Sequence, residues 1–193
     1  MKRSELEKDA NFILSSIQDS DYEIPRNRNI MGVIFSKLRY VYLLQFLFII
    51  LDCSFYQKND GYQVSKAFFL LGLSGVSMLF FTMVFIGVVY SNVCMHLILN
   101  DKVRRESLLV RIVKKKIIFY TRLLLSVNIL IGVFLLWVGE FYIAGLGFSW
   151  FVTLIFSVLF LQGSLSRYMT PAVVKTLSLV SDMISPSDKS RKT

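Results

Sequence analysis

The chain has 193 residues, of which 54% are apolar, 15% aromatic and only 18% charged, and its mean hydropathy is +0.57. A soluble domain carries about 25% charged residues, so this chain has too few polar groups to cover a globular surface. It is nevertheless basic, with 22 lysines and arginines against 13 acidic residues and a formal net charge of +9. A soluble metabolic enzyme and a disordered tail are therefore disfavoured. A membrane protein with its charge at the aqueous edges is favoured.

The first 37 residues open with a predicted amphipathic helix. Ser4 and Glu7 have the spacing of a capping box, in which each side chain satisfies a backbone N–H of the other residue. Apolar residues follow at helical spacing, and the helix is predicted to end near Asp19. Because residues 1–23 carry a net charge of −3, this helix is a poor binder of anionic lipid. We expect it to pack on the protein's own basic surface or on a partner. Its apolar residues are Leu6, Ala10, Ile13 and Ile17.

Four stretches are long and apolar enough to cross a membrane as helices, which takes about 20 residues. The weakest has an uncharged centre of only 12 residues, 40–51, between Arg39 and Asp52. The second, 67–99, has 33 residues without a formal charge, so it must tilt, kink or project beyond the bilayer. The third is interrupted only by Arg122, whose side chain can reach back to the headgroups. The predicted spans are 38–56, 67–96, 117–138 and 146–166.

The distribution of charge predicts the orientation of these spans. Nineteen lysines and arginines lie in residues 1–39, 100–116 and 163–193, whereas two lie in residues 52–66. Because cytoplasmic loops accumulate Lys and Arg, both termini are predicted to be cytoplasmic. The chain then forms one all-α polytopic membrane domain, 1–193. This domain is a four-helix bundle with a cytoplasmic helical extension and amphipathic terminal helices. The predicted cytoplasmic segments are 1–37, 97–116 and 167–193.

The predicted outer side has little chain outside the membrane. Three glycines between residues 139 and 147 predict a tight turn, with the fourth helix proper beginning near Phe148. Tyrosine and tryptophan collect at the boundary between lipid and water, so an aromatic belt is expected there. Its members would be Trp137, Tyr142 and Trp150.

The central segment, 100–116, carries a net charge of +5. Asn100 and Asp101 predict a turn, and the helical composition that follows predicts a hairpin with the long second span. An electrostatic dock for anionic lipid or for an acidic partner is one interpretation, and an ordinary topology signal is the favoured alternative. Nucleic acid is disfavoured, because no aromatic residues interleave with the cations as a stacking platform. The candidate docking residues are Arg104, Arg105, Lys114, Lys115 and Lys116. The residues expected to pack against the second span are Leu108, Leu109, Ile112 and Val113.

The C-terminal segment predicts a further helix. Thr170 suits the N-cap position and Pro171 suits the first helical position, and one apolar face follows. This helix is expected to lie at the membrane surface or against the predicted hairpin. Residues 185–193 have the composition of a disordered tail. The apolar face comprises Val173, Leu177, Val180 and Ile184.

No catalytic, cofactor-binding or metal-binding site is predicted from the sequence. Cys53 and Cys94 have no metal-ligand spacing and are interpreted as small apolar residues. His96 is the single histidine, so a haem or metal role would need a second ligand of another type. The chain also has no phosphate-binding loop and no nucleophile motif. An enzyme is therefore not expected, and neither is a small-molecule substrate.

Small residues predict where the helices approach one another closely. Packing within one bundle is the simpler interpretation, while self-association or docking of a foreign helix is the alternative. Polar side chains within the spans are expected to hydrogen-bond across helices in either case. The candidate packing residues are Gly72, Gly75, Gly145 and Ser149, and the polar residues are Gln45, Asn128 and Gln162.

The segment DYEIP (21–25), followed by KLRYVYLLQFLFIIL (37–51) and three further spans, resembles the layout of the entry-exclusion proteins of F-type conjugative plasmids, the TraS family. The resemblance lies in architecture along the whole chain, and it transfers no functional residue. It implies a bacterial inner-membrane protein that blocks redundant plasmid DNA transfer. The implied partner is a TraG-like mating-pair stabilisation protein of the donor cell.

Two other interpretations remain open from the sequence. One is an immunity protein that intercepts a pore-forming bacteriocin within the bilayer. The other is an oligomeric pore or a membrane-shaping protein, which the long second span favours. Membrane lipid is an expected partner under the exclusion, immunity and pore interpretations, and self-association into a homo-oligomer stays open.

Overall fold

The computed structural model describes residues 3–18, 25–56, 64–138 and 142–184, and every regular element in these ranges is helical. The predicted all-α class is therefore confirmed for this part of the chain. The elements are α1 (Arg3–Gln18), α2 (Asn27–Tyr56), α3 (Val64–Ile98), α4 (Asp101–Glu106), α5 (Leu108–Val138), a 3₁₀ helix (Tyr142–Gly145), α6 (Leu146–Ser166) and α7 (Pro171–Ile184).

Four helices are long and apolar enough to cross a membrane, as predicted. The qualifying segments are Asn27–Phe55, Phe68–Ile98, Leu108–Val138 and Ile143–Ser166. The longest have 31 residues, or about 46 Å at 1.5 Å per residue, against a hydrocarbon core of about 30 Å. Helices of this length exceed the thickness of the hydrocarbon core.

Helices α2 and α5 begin earlier in the chain than the first and third predicted spans. Helix α2 starts at Asn27 and α5 at Leu108, whereas the apolar runs predicted starts at residues 38 and 117. Hydropathy detects the lipid-compatible part of a helix, but a helix continues wherever its apolar face still packs. On α2 that face already begins at Ile30 and Ile34, which are fully buried.

The bundle core is built on one stripe of α2. Its buried residues follow at spacings of three and four, which places them on a single helical face. Helix α2 packs on α3, and α6 packs on both α3 and α5. The α2 stripe comprises Ile30, Ile34, Leu38, Val41, Gln45, Phe48 and Asp52.

Trp150 lies inside this core and is completely buried. Its indole Nε1 donates to Gln45 Oε1 at 3.1 Å, and Gln45 Nε2 donates to Ser74 Oγ at 2.8 Å. The expected place of Trp150 in an outer aromatic belt is therefore wrong, because a buried hydrogen-bond acceptor satisfies its indole. Trp137, in contrast, is 82% exposed.

A second polar network joins α5 to α6. Asn128 Nδ2 donates to Thr153 Oγ1 at 2.7 Å, and Ser149 Oγ donates to Asn128 Oδ1 at 2.8 Å. The expected cross-helix bonds of Gln45 and Asn128 are thus confirmed. Gln162 is exposed instead.

The close helix contacts use other glycines than those predicted. A Cβ atom on Gly147 would lie 2.4 Å from Ser77 Oγ, and one on Gly132 would lie 2.6 Å from the Phe48 ring. A Cβ atom on any of three predicted packing glycines would have no neighbour within 4 Å among the described residues, so these positions do not mark close approaches within that part of the chain. They are Gly72, Gly75 and Gly145.

Several sequence predictions fall outside the described residues. They are the end of the first helix near Asp19, residues 21–24 of the DYEIP segment, residues 57–63 of the outward segment 52–66, the turn at 139–141, the side chains of Tyr142, Val180 and Ile184, and the tail 185–193.

Candidate recognition site

A second hydrophobic cluster lies at the end of the bundle where α3 meets α5. Helices α1, α4 and α7 join the first turn of α5 there, and we call this assembly the head. The apolar face predicted for α1 is confirmed, because all four of its residues are buried in the cluster. The buried members are Leu6, Ala10, Ile13, Ile17, Leu99, Val103, Leu109 and Val173.

The start of α1 differs from the predicted capping box. Arg3 is already helical, so Ser4 lies within the helix rather than before it. Glu7 pairs with Arg3 four residues earlier, with Arg3 Nε 2.6 Å from Glu7 Oε1. An i,i+4 ion pair on the helix surface has replaced the reciprocal cap.

Asp9 of α1 caps the N-terminus of α5. Its Oδ1 accepts the Leu108 backbone N–H at 3.0 Å, and its Oδ2 accepts the Leu109 backbone N–H at 2.7 Å. The Ser107 hydroxyl also donates to Asp9 Oδ2 at 2.9 Å and accepts the Val110 N–H at 3.2 Å. The first amides of a helix have no partner within it, and the positive end of its dipole attracts a carboxylate. Asp9 therefore fixes α1 against α5.

Arg104 caps the C-terminal end of α3, the helix that ends at the head. Its Nε donates to the His96 carbonyl at 3.0 Å and its Nη2 to the Leu97 carbonyl at 3.1 Å, while Nη1 lies 3.2 Å from Asp101 Oδ1. A cation at the negative end of a helix is stabilising. Arg104 thus differs from the other candidate docking residues, because its guanidinium is engaged inside the head.

The remaining candidate docking residues lie on or next to α5. Arg105, Lys114 and Lys115 are exposed, whereas Lys116 is half-buried. Arg111, which the sequence analysis did not single out, is also exposed, and its Nη2 donates to the Arg105 carbonyl at 3.4 Å. The cations therefore concentrate on the outward side of the start of α5.

The structure contains only part of the packing predicted for the hairpin between the second and third spans. Leu108 and Leu109 join the head cluster, which includes Leu99 and Met95 at the end of α3. Helix α5, however, packs on α1, α2 and α6 more extensively than along α3. The strongly apolar face of α1 supplies the surface that the hairpin model assigned to α3.

Helix α7 completes the head. Thr170 Oγ1 accepts the Val173 backbone N–H at 3.4 Å, which confirms Thr170 as the N-cap and Pro171 as the first helical residue. Val173 is fully buried, and α7 packs against α1. The contact observed is with α1 rather than with the predicted hairpin, and a location at the membrane surface stays a prediction.

Comparison with family models, with curated proteins and with solved structures found no match. The chemistry of the site is therefore argued from its own residues. Within the described ranges, no group of three or more His, Cys, Asp or Glu residues could hold a metal ion. His96 is exposed, and Cys94 packs against the bundle core.

The head presents a mixed polar surface on its outer side. The outward face of α1 alternates basic, acidic and neutral residues, and α1 contacts the start of α5. The exposed α1 residues are Arg3, Ser4, Glu5, Lys8, Asn11, Ser15 and Gln18.

Proposed function

We propose that this protein is a non-enzymatic membrane recognition protein, and that its role is entry exclusion in bacterial conjugation. The observation that supports this is the head itself. It has its own apolar cluster, assembled from segments at both ends and in the middle of the chain. Four spanning helices could stay in a membrane without such an assembly, so the head suggests a binding surface.

A preformed surface favours recognition for a thermodynamic reason. A disordered segment must be ordered when it binds, which subtracts from its affinity, whereas a folded surface avoids that cost. The Asp9 cap holds α1 on α5, and the Thr170 cap begins the helix that packs on α1. The partner proposed for this surface is a TraG-like mating-pair stabilisation protein of the donor cell.

The proposed location is the bacterial inner membrane with the head in the cytoplasm. The segments rich in Lys and Arg, 1–39, 100–116 and 163–193, contain the head helices α1, α4 and α7. Lys and Arg are retained on the cytoplasmic side during insertion. A reporter fused after Thr193 should be active only in the cytoplasm, and periplasmic activity would contradict this orientation.

Conjugation itself tests the proposal. Recipient cells that express the protein should receive one F-like plasmid type at a reduced frequency, while unrelated plasmids enter normally. Asp9→Ala, which releases α1 from α5, should restore transfer at equal membrane abundance, and Gln162→Ala, at an exposed position of α6 outside the head, serves as the control. Unchanged transfer from every F-like donor would refute the exclusion role.

The immunity interpretation is favoured by a different observation. Gly72 and Gly75 are exposed on α3, and a Cβ atom at either position would have no neighbour within 4 Å in the described part of the chain. Small residues on an open helix face allow a foreign transmembrane helix to approach closely. Protection of cells against one pore-forming bacteriocin, lost in Gly72→Leu/Gly75→Leu, would support this second function. Normal killing by a panel of such toxins would exclude it.

A further inference from the structure

One outward face of α5 carries cations over three helical turns. Arg111, Lys115, Ile118 and Arg122 follow at spacings of four, three and four, which places them on one side of the helix. All four are exposed, and we call them the α5 stripe. Lys114, also exposed, borders it. Arg111 and Arg122 are about 16 Å apart along the helix axis.

The cations of the α5 stripe are not neutralised by the described part of the chain. The ion pairs found there join Arg3 to Glu7 and Arg104 to Asp101. Arg104 also shows what an engaged arginine of this protein looks like, with two carbonyls and a carboxylate around its guanidinium. Lys115 and Arg122 have no comparable intramolecular partner among the described residues.

The same face becomes apolar after Arg122. Exposed Ile129, Val133 and Trp137 continue it towards the far end of α5, within the segment Leu108–Val138 that can cross a membrane. Arg122 thus lies at the boundary between a cationic and an apolar part of one surface. Long cationic side chains at such a boundary extend towards the headgroups.

From this arrangement we infer that the α5 stripe binds the headgroup of an anionic phospholipid. Arg122 and Lys115 hold its phosphate, Arg111 contacts the polar headgroup, and the acyl chains lie along Ile129 and Val133. A guanidinium binds a phosphate through two parallel N–H groups, which gives direction as well as charge complementarity. An acidic peptide would match only the cationic part of the face, from Arg111 to Arg122, because the part after Arg122 is apolar. The inference does not depend on the proposed exclusion function.

Lipid titration of the full-length protein tests this binding site. The purified protein, in a neutral detergent, is titrated with phosphatidylglycerol or with phosphatidylcholine, and native mass spectrometry counts the lipids retained. The wild type should retain phosphatidylglycerol at lower lipid concentration. The R111Q/K115Q/R122Q variant should lose about fivefold in apparent affinity for each cation removed.

A second triple variant, K8Q/K102Q/K175Q, removes the same charge from exposed positions of the head and should bind phosphatidylglycerol like the wild type. Circular dichroism establishes that both variants keep their helical content. Equal losses in the two variants, or no loss in the first, would overturn the inference. So would equal affinity of the wild type for the two lipids. Displacement of the lipid by inorganic phosphate at millimolar concentration would overturn it too, because the site would then serve a soluble anion.

Discussion

Asp9 and Leu109 are 100 positions apart in the chain, and Asp9 Oδ2 accepts the Leu109 backbone N–H at 2.7 Å. With the adjoining bond to Leu108 at 3.0 Å, one carboxylate satisfies two of the four unpaired amides at the start of α5. A local cap would stabilise only its own helix. This cap also fixes the position of a different helix, α1.

Removing this carboxylate should loosen the head while leaving the bundle intact. Asp9→Ala should destabilise the head by about 1–2 kcal/mol, the typical value of a helix cap. Amide hydrogen exchange should accelerate at Leu108 and Leu109 and along α1. Asn11→Ala, on the exposed side of the same helix, should leave exchange unchanged. Equal protection in Asp9→Ala and the wild type would show that apolar packing alone holds α1.

The close approach of α3 and α6 predicts opposite effects for two glycine substitutions. Gly147→Ala places a Cβ atom 2.4 Å from Ser77 Oγ and 3.4 Å from the Ser74 backbone carbonyl. We expect it to lower the melting temperature, at a cost of about 1–3 kcal/mol for overpacking. Gly72→Ala has open space around it and should be neutral or stabilising by up to about 1 kcal/mol, because alanine is the better helix former.

A compensating substitution distinguishes this clash from other effects at Gly147. Ser77→Gly removes the hydroxyl that the new methyl group meets. The double variant Ser77→Gly/Gly147→Ala should therefore recover part of the lost melting temperature. Additive losses in the double variant would contradict the steric explanation.

Gln45 should stabilise the bundle because its one side chain bonds to two other helices, to Trp150 on α6 and to Ser74 on α3. Gln45→Leu leaves both Trp150 Nε1 and Ser74 Oγ without their observed partner. Hydrogen bonds between membrane helices contribute about 0.6 kcal/mol on average and at most about 1.7, so a loss of about 1–2 kcal/mol is expected. Thermal melting followed by tryptophan fluorescence measures it. Gln162→Leu, at an exposed position, is the matched control, and equal losses would argue against the network.

Asp52 predicts a gain in stability. Its residue is 3% exposed, and its Oδ1 has no hydrogen-bond partner among the described residues. A buried, unsatisfied carboxylate is costly, so Asp52→Asn should raise the melting temperature. Glu106→Gln makes the same chemical change at an exposed position and should leave it unchanged. A lower melting temperature for Asp52→Asn would indicate that the carboxylate has a structural partner.

The local features of this fold could be predicted from the sequence, because each depends on neighbouring residues. The apolar face of α1 and the Thr170 cap belong to this class, and so does the existence of four apolar helices. A spanning helix can be recognised from the hydropathy of about 20 consecutive residues, without knowledge of its distant contacts.

The features that depend on distant residues could not be predicted in the same way. Asp9 appears in the sequence as one of several acidic residues on a short helix, and its partners are about 100 positions away. Trp150 is of a residue type that is common at membrane interfaces, and only the folded structure shows that Gln45 of α2 accepts its indole N–H. For Arg104 a signal did exist, since a cation shortly after a predicted helix end is a common C-terminal cap.

The packing of α1 against α7 imposes an order on biogenesis. Helix α1 is the first of the described helices to leave the ribosome and α7 is the last. The apolar face of α1 therefore remains only partly covered until Val173 arrives, after all four long apolar helices have been synthesised. Chains arrested before the final helix should keep this face available to chaperones and proteases. Closure of the head thus marks a chain in which all four long helices have been synthesised.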